Sequence, residues 1–306
     1  MYAYVILSLV LAMVAMDVAA DTPPPDVAAT LLAAAAVTVT VLLAGLGISG
    51  YILWRRGAIE TDEQRFLRRV GILGKMYRLV VVAAFALILF GCDWAALAVH
   101  WAGGGAWVVP SLALAVAPLV VLQLVAWTAL YWADRRLRAL MFERAGAGVA
   151  ARHWTLPRYL EFMSRQYLLV ILVPVLLMLA IEDVVSVWLG PPEAEPLSAA
   201  VILASGVAAV LLAGPWVRVC WRTEPLPDGL LRRGLLTLAD RSGIRVRNIL
   251  VWRTNLSIAN GCMIGVIGPL RYIMITDALL LRLAPEEVEA VFAHEVAHVK
   301  YRHVVL

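Results

Sequence analysis

The chain has 306 residues, of which 62% are hydrophobic and only 16% charged, and its mean hydropathy is +0.84. Ordinary soluble domains are about 45–50% apolar and about 25% charged, so the composition excludes a soluble globular protein and marks an integral membrane protein. The formal net charge of +4 is small and unevenly placed, which argues against a nucleic-acid partner and directs attention to topology.

Taken in order, residues 2–20 are apolar up to Asp17. They read as a first membrane helix or as a signal peptide ending near Val18-Ala19-Ala20. No Lys or Arg precedes the run, which favours a retained helix. Residues 21–26, DTPPPD, form a short stiff turn. Further apolar runs at 27–53, 79–100, 107–132, 167–189 and 198–217 bring the expected spans to six, each long enough to cross about 30 Å of hydrocarbon. Pro174 is expected to kink the fifth. Asp93, His100 and the pair Glu182-Asp183 fall near the outer ends of spans, where water is close and a structural role is expected. Trp101, Trp107, Trp188 and Trp216 fit interfacial belts.

The loops assign orientation. Residues 54–78 carry Arg55, Arg56, Arg65, Arg68, Arg69, Lys75 and Arg78, and residues 133–166 carry seven more arginines. Loops 21–26, 101–106 and 190–197 carry no Lys or Arg. By the positive-inside rule the N-terminus is cytoplasmic, and so is everything after about residue 218, in a bacterial-type inner membrane. The three cysteines, Cys92, Cys220 and Cys262, are far apart and are expected to be free thiols.

After residue 222 the composition changes. Residues 228–242 read as an amphipathic helix, 244–252 as a strand, 257–265 as a glycine-interrupted strand and 270–275 as a third strand. Thr276 or Asp277 caps a short helix, 278–283, and Pro285 opens another. The expected architecture is therefore an all-α membrane region over 1–221 and a small α+β domain over 222–306.

That last helix contains His294-Glu295-x-x-His298. Residues four apart on a helix are offset by about 40°, so both imidazoles reach one ion. Glu295 lies about 100° from His294 and about 60° from His298, placed to take a proton from water without ligating the metal. Three of the five histidines fall between 294 and 303. Glu286, Glu287 and Glu289 favour the helix start, and Lys300 and Arg302 its end. Val288, Phe292, Val296 and Val299 give it an apolar stripe.

The run Arg271-Tyr-Ile-Met-Ile-Thr-Asp277-Ala-Leu-Leu, followed by Ala284 through His303, resembles the HtpX / CAAX-prenyl-endopeptidase family of membrane-embedded zinc metallopeptidases. Asn260-x-x-x-x-Gly265 is similar to the family's Asn-Ala-x-x-x-Gly strand, with Gly261 where Ala is usual. The resemblance covers about a quarter of the chain and implies a partial zincin-like fold. It implies one Zn²⁺ held by His294 and His298, Glu295 as general base, and a protein or peptide substrate drawn from the membrane or its surface. Substrate would lie along an edge strand near Asn255–Gly265, with Asn260 and Gly265 at the binding edge.

The family's third ligand is a Glu on a later helix. The given sequence stops eight residues after His298, and Val299–Leu306 contain no acid. His303 lies about 180° around the helix from His294, and Glu287 sits about 10 Å below it, so neither substitutes well. Val304-Val305-Leu306 looks like the start of another apolar segment, and the third ligand is expected beyond Leu306. The alternatives are a sensor-transducer metallopeptidase of the β-lactam-receptor type and an inactive membrane scaffold. An intramembrane site-two-type protease fits less well, because the HExxH helix carries Glu286, Glu287, Glu289, Lys300 and Arg302.

Overall fold

The Pro-rich turn ends in a cap. Helix α1 spans Tyr2–Ala19 and α2 spans Val27–Trp54. The Asp26 carboxylate accepts the Ala28 and Ala29 amides at 2.9 and 3.3 Å, satisfying two N–H groups that open α2. The computed structural model describes residues 2–57, 62–103, 107–144, 155–189 and 191–300.

Helix α3, Glu63–Ala86, is capped by Asp62 through the Arg65 amide and runs on as a π turn over Leu87–Gly91. Asp93 then takes a left-handed φ of 55°, and a separate helix α4 follows over Trp94–Trp101. The span expected at 79–100 is therefore interrupted, and the apolar crossing runs over Glu63–Gly91 instead. Hydropathy is continuous through Cys92-Asp93, so it could not reveal a backbone break. Aspartate is one of the few side chains that tolerates such a φ.

Helices α5 (Val108–Arg144), α6 (Leu156–Met163), α7 (Val170–Leu189) and α8 (Pro191–Cys220) complete the apolar series. A π turn, Ser164–Leu169, joins α6 to α7. It sits just before Val170, whose carbonyl loses its helical donor to Pro174. Among the described residues six segments are long and apolar enough to cross a membrane: Tyr2–Ala19, Val27–Gly57, Glu63–Gly91, Val108–Leu140, Leu156–Trp188 and Ala199–Cys220.

The chain divides into two compact units between Ile202 and Leu203. In the first, α5 is the central helix, with Leu112, Ala115, Leu119 and Leu122 wholly buried. Gly45 on α2 allows a close approach: a Cβ there would stand 2.7 Å from Ala129 Cβ of α5 and 2.3 Å from the Tyr77 hydroxyl. Tyr77 donates to the Val41 carbonyl at 2.8 Å. The polar groups near span ends have structural partners. The Asp183 carboxylate accepts the Val108 and Val109 amides at 2.9 and 2.8 Å, capping α5 from α7, and His100 Nε2 meets the Thr22 carbonyl at 2.9 Å.

The second unit begins with the end of α8. Strands β1 (Thr223–Pro225), β2 (Asn248–Trp252), β3 (Gly261–Ile264) and β4 (Tyr272–Thr276) form one sheet in the order β1-β2-β4-β3. β2 and β4 are parallel, with Leu250 opposite Met274, and the outer pairings are antiparallel. Helix α9 (Leu230–Arg241) lies between β1 and β2 in sequence, and α10 (Asp277–Arg282) and α11 (Pro285–Lys300) follow β4. β1 was not expected: three residues ending in Pro225 carry no strand period. The observed strands are also shorter than their apolar runs, because residues 254–258 form a turn and Ile244–Arg247 lead into β2 outside the ladder.

All five residues of β4 and four of five in β2 are buried, so both faces of the inner sheet are covered. Ile249, Val251, Ile273 and Ile275 pack with Leu235 and Ala239 of α9 and with α11. On the opposite face Trp252 stacks on Trp221 at 3.9 Å between ring centroids, and Tyr272 lies against Gly214 of α8. The whole is an all-α membrane region followed by a small mixed α+β layer.

The Asp183 cap can be tested directly. Asp183→Ala leaves two amides without their acceptor and should lower stability by about 1–3 kcal/mol, seen as a reduced melting temperature in detergent. Asp183→Asn keeps one acceptor oxygen and should fall between the two.

Candidate functional site

Helix α11 starts without a side-chain cap at Ala284, and Glu287 supplies one. Its Oε2 accepts the Ala284 amide at 2.8 Å, which is the reciprocal half of a capping box. Val288, Phe292 and Val296 are 2–3% exposed and pack onto Ile249, Val251, Ile273 and Ile275. That stripe fixes the rotation of α11 about its axis. His294 therefore faces outward and is exposed, and Glu295 sits half-buried at the flank.

Glu295 faces β3. With Val291 it lines one side of a narrow cleft whose other side is Gly261 and Cys262, with Ile273, Ile275 and Leu279 also lining it. A Cβ on Gly261 would stand 3.4 Å from Val291 Cγ1, so the strand has room for a methyl but little more. β3 is the edge of the sheet, bonded to β4 on one side only.

His294 and His298 share α11, but the His298 side chain and all of His303 lie outside the described residues, as do Val304, Val305 and Leu306. Among the described residues no group of three or more His, Cys, Asp or Glu is gathered to hold a metal. Glu287 is occupied as a helix cap.

The two residues expected at the binding edge have clear local roles. The backbone of Asn260 is tied to Thr276: its amide donates to Thr276 Oγ1 at 2.9 Å and its carbonyl accepts from the Thr276 amide at 3.0 Å. Its side chain is exposed. Gly265 has φ +106°, and a Cβ there would fall 2.3 Å from the Leu270 carbonyl oxygen, so only glycine turns the chain out of β3 at this point.

Ahead of β3 the backbone is strained and pinned. Asn255 and Leu256 have φ values of 54° and 61°, and the Ser257 amide closes the turn on the Thr254 carbonyl at 3.2 Å. Left-handed conformations cost non-glycine residues about 1–2 kcal/mol each. Asp277 offsets this: its Oδ1 accepts from the Thr254 hydroxyl at 2.6 Å, the Thr254 amide at 3.1 Å and the Ala278 amide at 2.9 Å. One carboxylate thus holds the turn that delivers the edge strand and the start of α10.

Cys262 is the site residue that sequence reading missed. It lies 33 residues before Glu295 in no recognisable spacing, and only the β3–β4 register brings the two together. Burial first, and then the nearby Glu295 charge, push its thiol pKa up from 9.0 to about 12.

Two outcomes follow from this geometry. A thiol raised this far is protonated at pH 8, with a thiolate fraction roughly 10³-fold below that of an ordinary cysteine. Cys262 should therefore resist iodoacetamide at pH 8 and react only as pH climbs toward 12, read by mass spectrometry of the modified peptide. Glu287→Ala should cost about 1 kcal/mol of stability in thermal melts, whereas Glu287→Gln, which can still accept the Ala284 amide, should cost little.

Among curated proteins, none matches the chain significantly. Among solved structures, the crystal structure of S. mikatae Ste24p aligns with a TM-score of 0.47 at 14% sequence identity, over 92% of this chain and 69% of that one. Residues 225–306 match peptidase family M48. That match takes in β2, β3, β4 and helices α9, α10 and α11, and it follows the six apolar segments in sequence.

Proposed function

We propose that this protein is a zinc-dependent membrane endopeptidase that hydrolyses peptide bonds of membrane or membrane-associated proteins. The observation that carries the reading is His294-Glu295-x-x-His298 on a helix whose buried stripe turns Glu295 toward an open edge strand, inside the M48 match. The donor set suits zinc in kind. His294 is exposed on α11, His298 follows one turn later, and imidazoles are among the preferred ligands of this ion. A third ligand would come from outside the described residues. Zinc bound there supplies a Lewis acid that acidifies water and polarises a carbonyl.

The chain's own groups do the rest. An extended peptide pairs with the free side of β3 by strand addition, which brings its backbone alongside α11. Asn260 and Gly265 bound that edge, Asn260 offering an exposed amide and Gly265 a turn without a side chain. The Glu295 carboxylate accepts a proton from the attacking water and returns it to the leaving amine. Its half-buried setting in the apolar cleft limits competing solvent. The arginine-rich segments at 54–78 and 133–166, largely helix ends in the fold, support a cytoplasmic placement of residues 222–306 at an inner membrane.

Metal analysis and proteolysis assays on the purified protein test the reading. About one zinc per chain is expected, His294→Ala should lose it, and Glu295→Gln should keep it while cleavage of a membrane substrate falls about 10²–10⁴-fold. Absence of zinc under non-chelating conditions would leave a scaffold.

A further inference from the structure

The segment Gly265–Leu270, with sequence GVIGPL, leaves the sheet and meets the last membrane helix. A Cβ on Gly214 of α8 would stand 2.3 Å from the Leu270 carbonyl oxygen and 3.4 Å from that of Ile264. Gly214 lies inside the apolar segment Ala199–Cys220, and Arg218 stands one helical turn nearer the helix end. One turn is about 5–6 Å of rise. If Arg218 marks the headgroup layer, the loop reaches the level of the acyl boundary. At its tip Val266 and Ile267 are 58% and 41% exposed, an apolar pair that the protein covers only in part.

Arginines ring this tip. Arg218 and Arg247 both stand over the Tyr272 ring, 5.7 and 6.0 Å from its centroid, so two like charges gather at one aromatic ring. Arg245 lies beside Gly268, and all three are exposed. Among the described residues none of the three is paired with a carboxylate. Arg271 is different: its guanidinium donates to the Gly265, Val266 and Arg245 carbonyls and shapes the loop from within.

We propose that this loop is a membrane-surface foot, in which Val266 and Ile267 enter the interface beside α8 while Arg218, Arg245 and Arg247 bind the phosphates of anionic lipid headgroups. The occupant is the bilayer that α8 itself crosses, because the patch is continuous with that span through Gly214. Guanidinium groups suit phosphate oxygens, and cations near an anionic leaflet gain about fivefold in affinity each. Apolar side chains below a basic rim are the pattern of interfacial anchoring. The inference stands apart from the peptidase reading and needs neither zinc nor proteolysis.

The test uses the whole chain in lipid nanodiscs. Val266→Cys, in a background with Cys92, Cys220 and Cys262 replaced, carries an environment-sensitive dye. Quenching by phosphatidylcholine spin-labelled near the headgroup, together with protection from aqueous iodide, is expected. Iodide quenching equal to that of free dye would overturn insertion. Spin-labelled phosphatidylglycerol should be immobilised at least several-fold over phosphatidylcholine by the native chain. R218Q/R245Q/R247Q should reduce that preference and R218K/R245K/R247K retain it, which separates charge loss from misfolding. An unchanged preference in the glutamine variant, or its loss in the lysine variant as well, would overturn headgroup binding.

Discussion

The second unit depends on the burial of one helical stripe. Val288, Phe292 and Val296 are removed from water against Ile249, Val251, Ile273 and Ile275. Each such side chain contributes about 1.5–3 kcal/mol when buried, as an upper estimate, so the three together outweigh any single hydrogen bond in the region. Because the stripe is on one side of α11, the opposite side has to face out, and His294 does. Glu295, adjacent to the stripe, falls at the boundary between core and cleft. The orientation of the motif is thus a by-product of hydrophobic packing and needs no interaction of its own.

The sheet can serve as that platform because its other face is also covered. Leu250, Trp252, Tyr272 and Met274 alternate with the residues under α11 and are fully or nearly fully buried. Trp221 and Gly214, from the end of the last membrane helix and just after it, meet this second face. A parallel pair at the centre of a sheet is stable only when both faces are protected, and here one cover is the layer of α9 and α11 and the other is the end of an apolar helix. The glycine at 214 is what permits the close approach, since any side chain there would strike the Leu270 carbonyl.

Strain is concentrated ahead of the edge strand. Two consecutive left-handed residues, Asn255 and Leu256, would be unstable in an isolated peptide. They persist because the Asp277 carboxylate satisfies three donors at once, two of them on a Thr254 that is fully buried. The same Asp277 opens α10. Turn, edge strand and helix start are therefore coupled through one side chain, and the position of β3 relative to α11 inherits that coupling.

Much of this was legible in the sequence, and the reasons differ by element. Hydropathy alone marked six apolar segments, because lipid demands long runs and no other soluble arrangement tolerates them. Helical spacing marked α9 and α11, and of the apolar stripe at 288, 292, 296 and 299 the first three are buried, the Val299 side chain lying outside the described residues. The HExxH pattern and the resemblance around it located the stretch that matches peptidase family M48, since both are properties of residues close in the chain. What the sequence could not carry was anything decided by pairing. The break at Cys92-Asp93 is a backbone choice invisible to composition, and β1 is too short to show a period. Cys262 meets Glu295, Asp277 meets Thr254, and Gly214 meets Leu270 only because strand register and helix packing bring distant segments together. Local composition therefore determined that six apolar segments are present and which helix carries the HExxH pattern. Tertiary packing decided which way that helix faces, which strand lies beside it, and which residues hold the strand there.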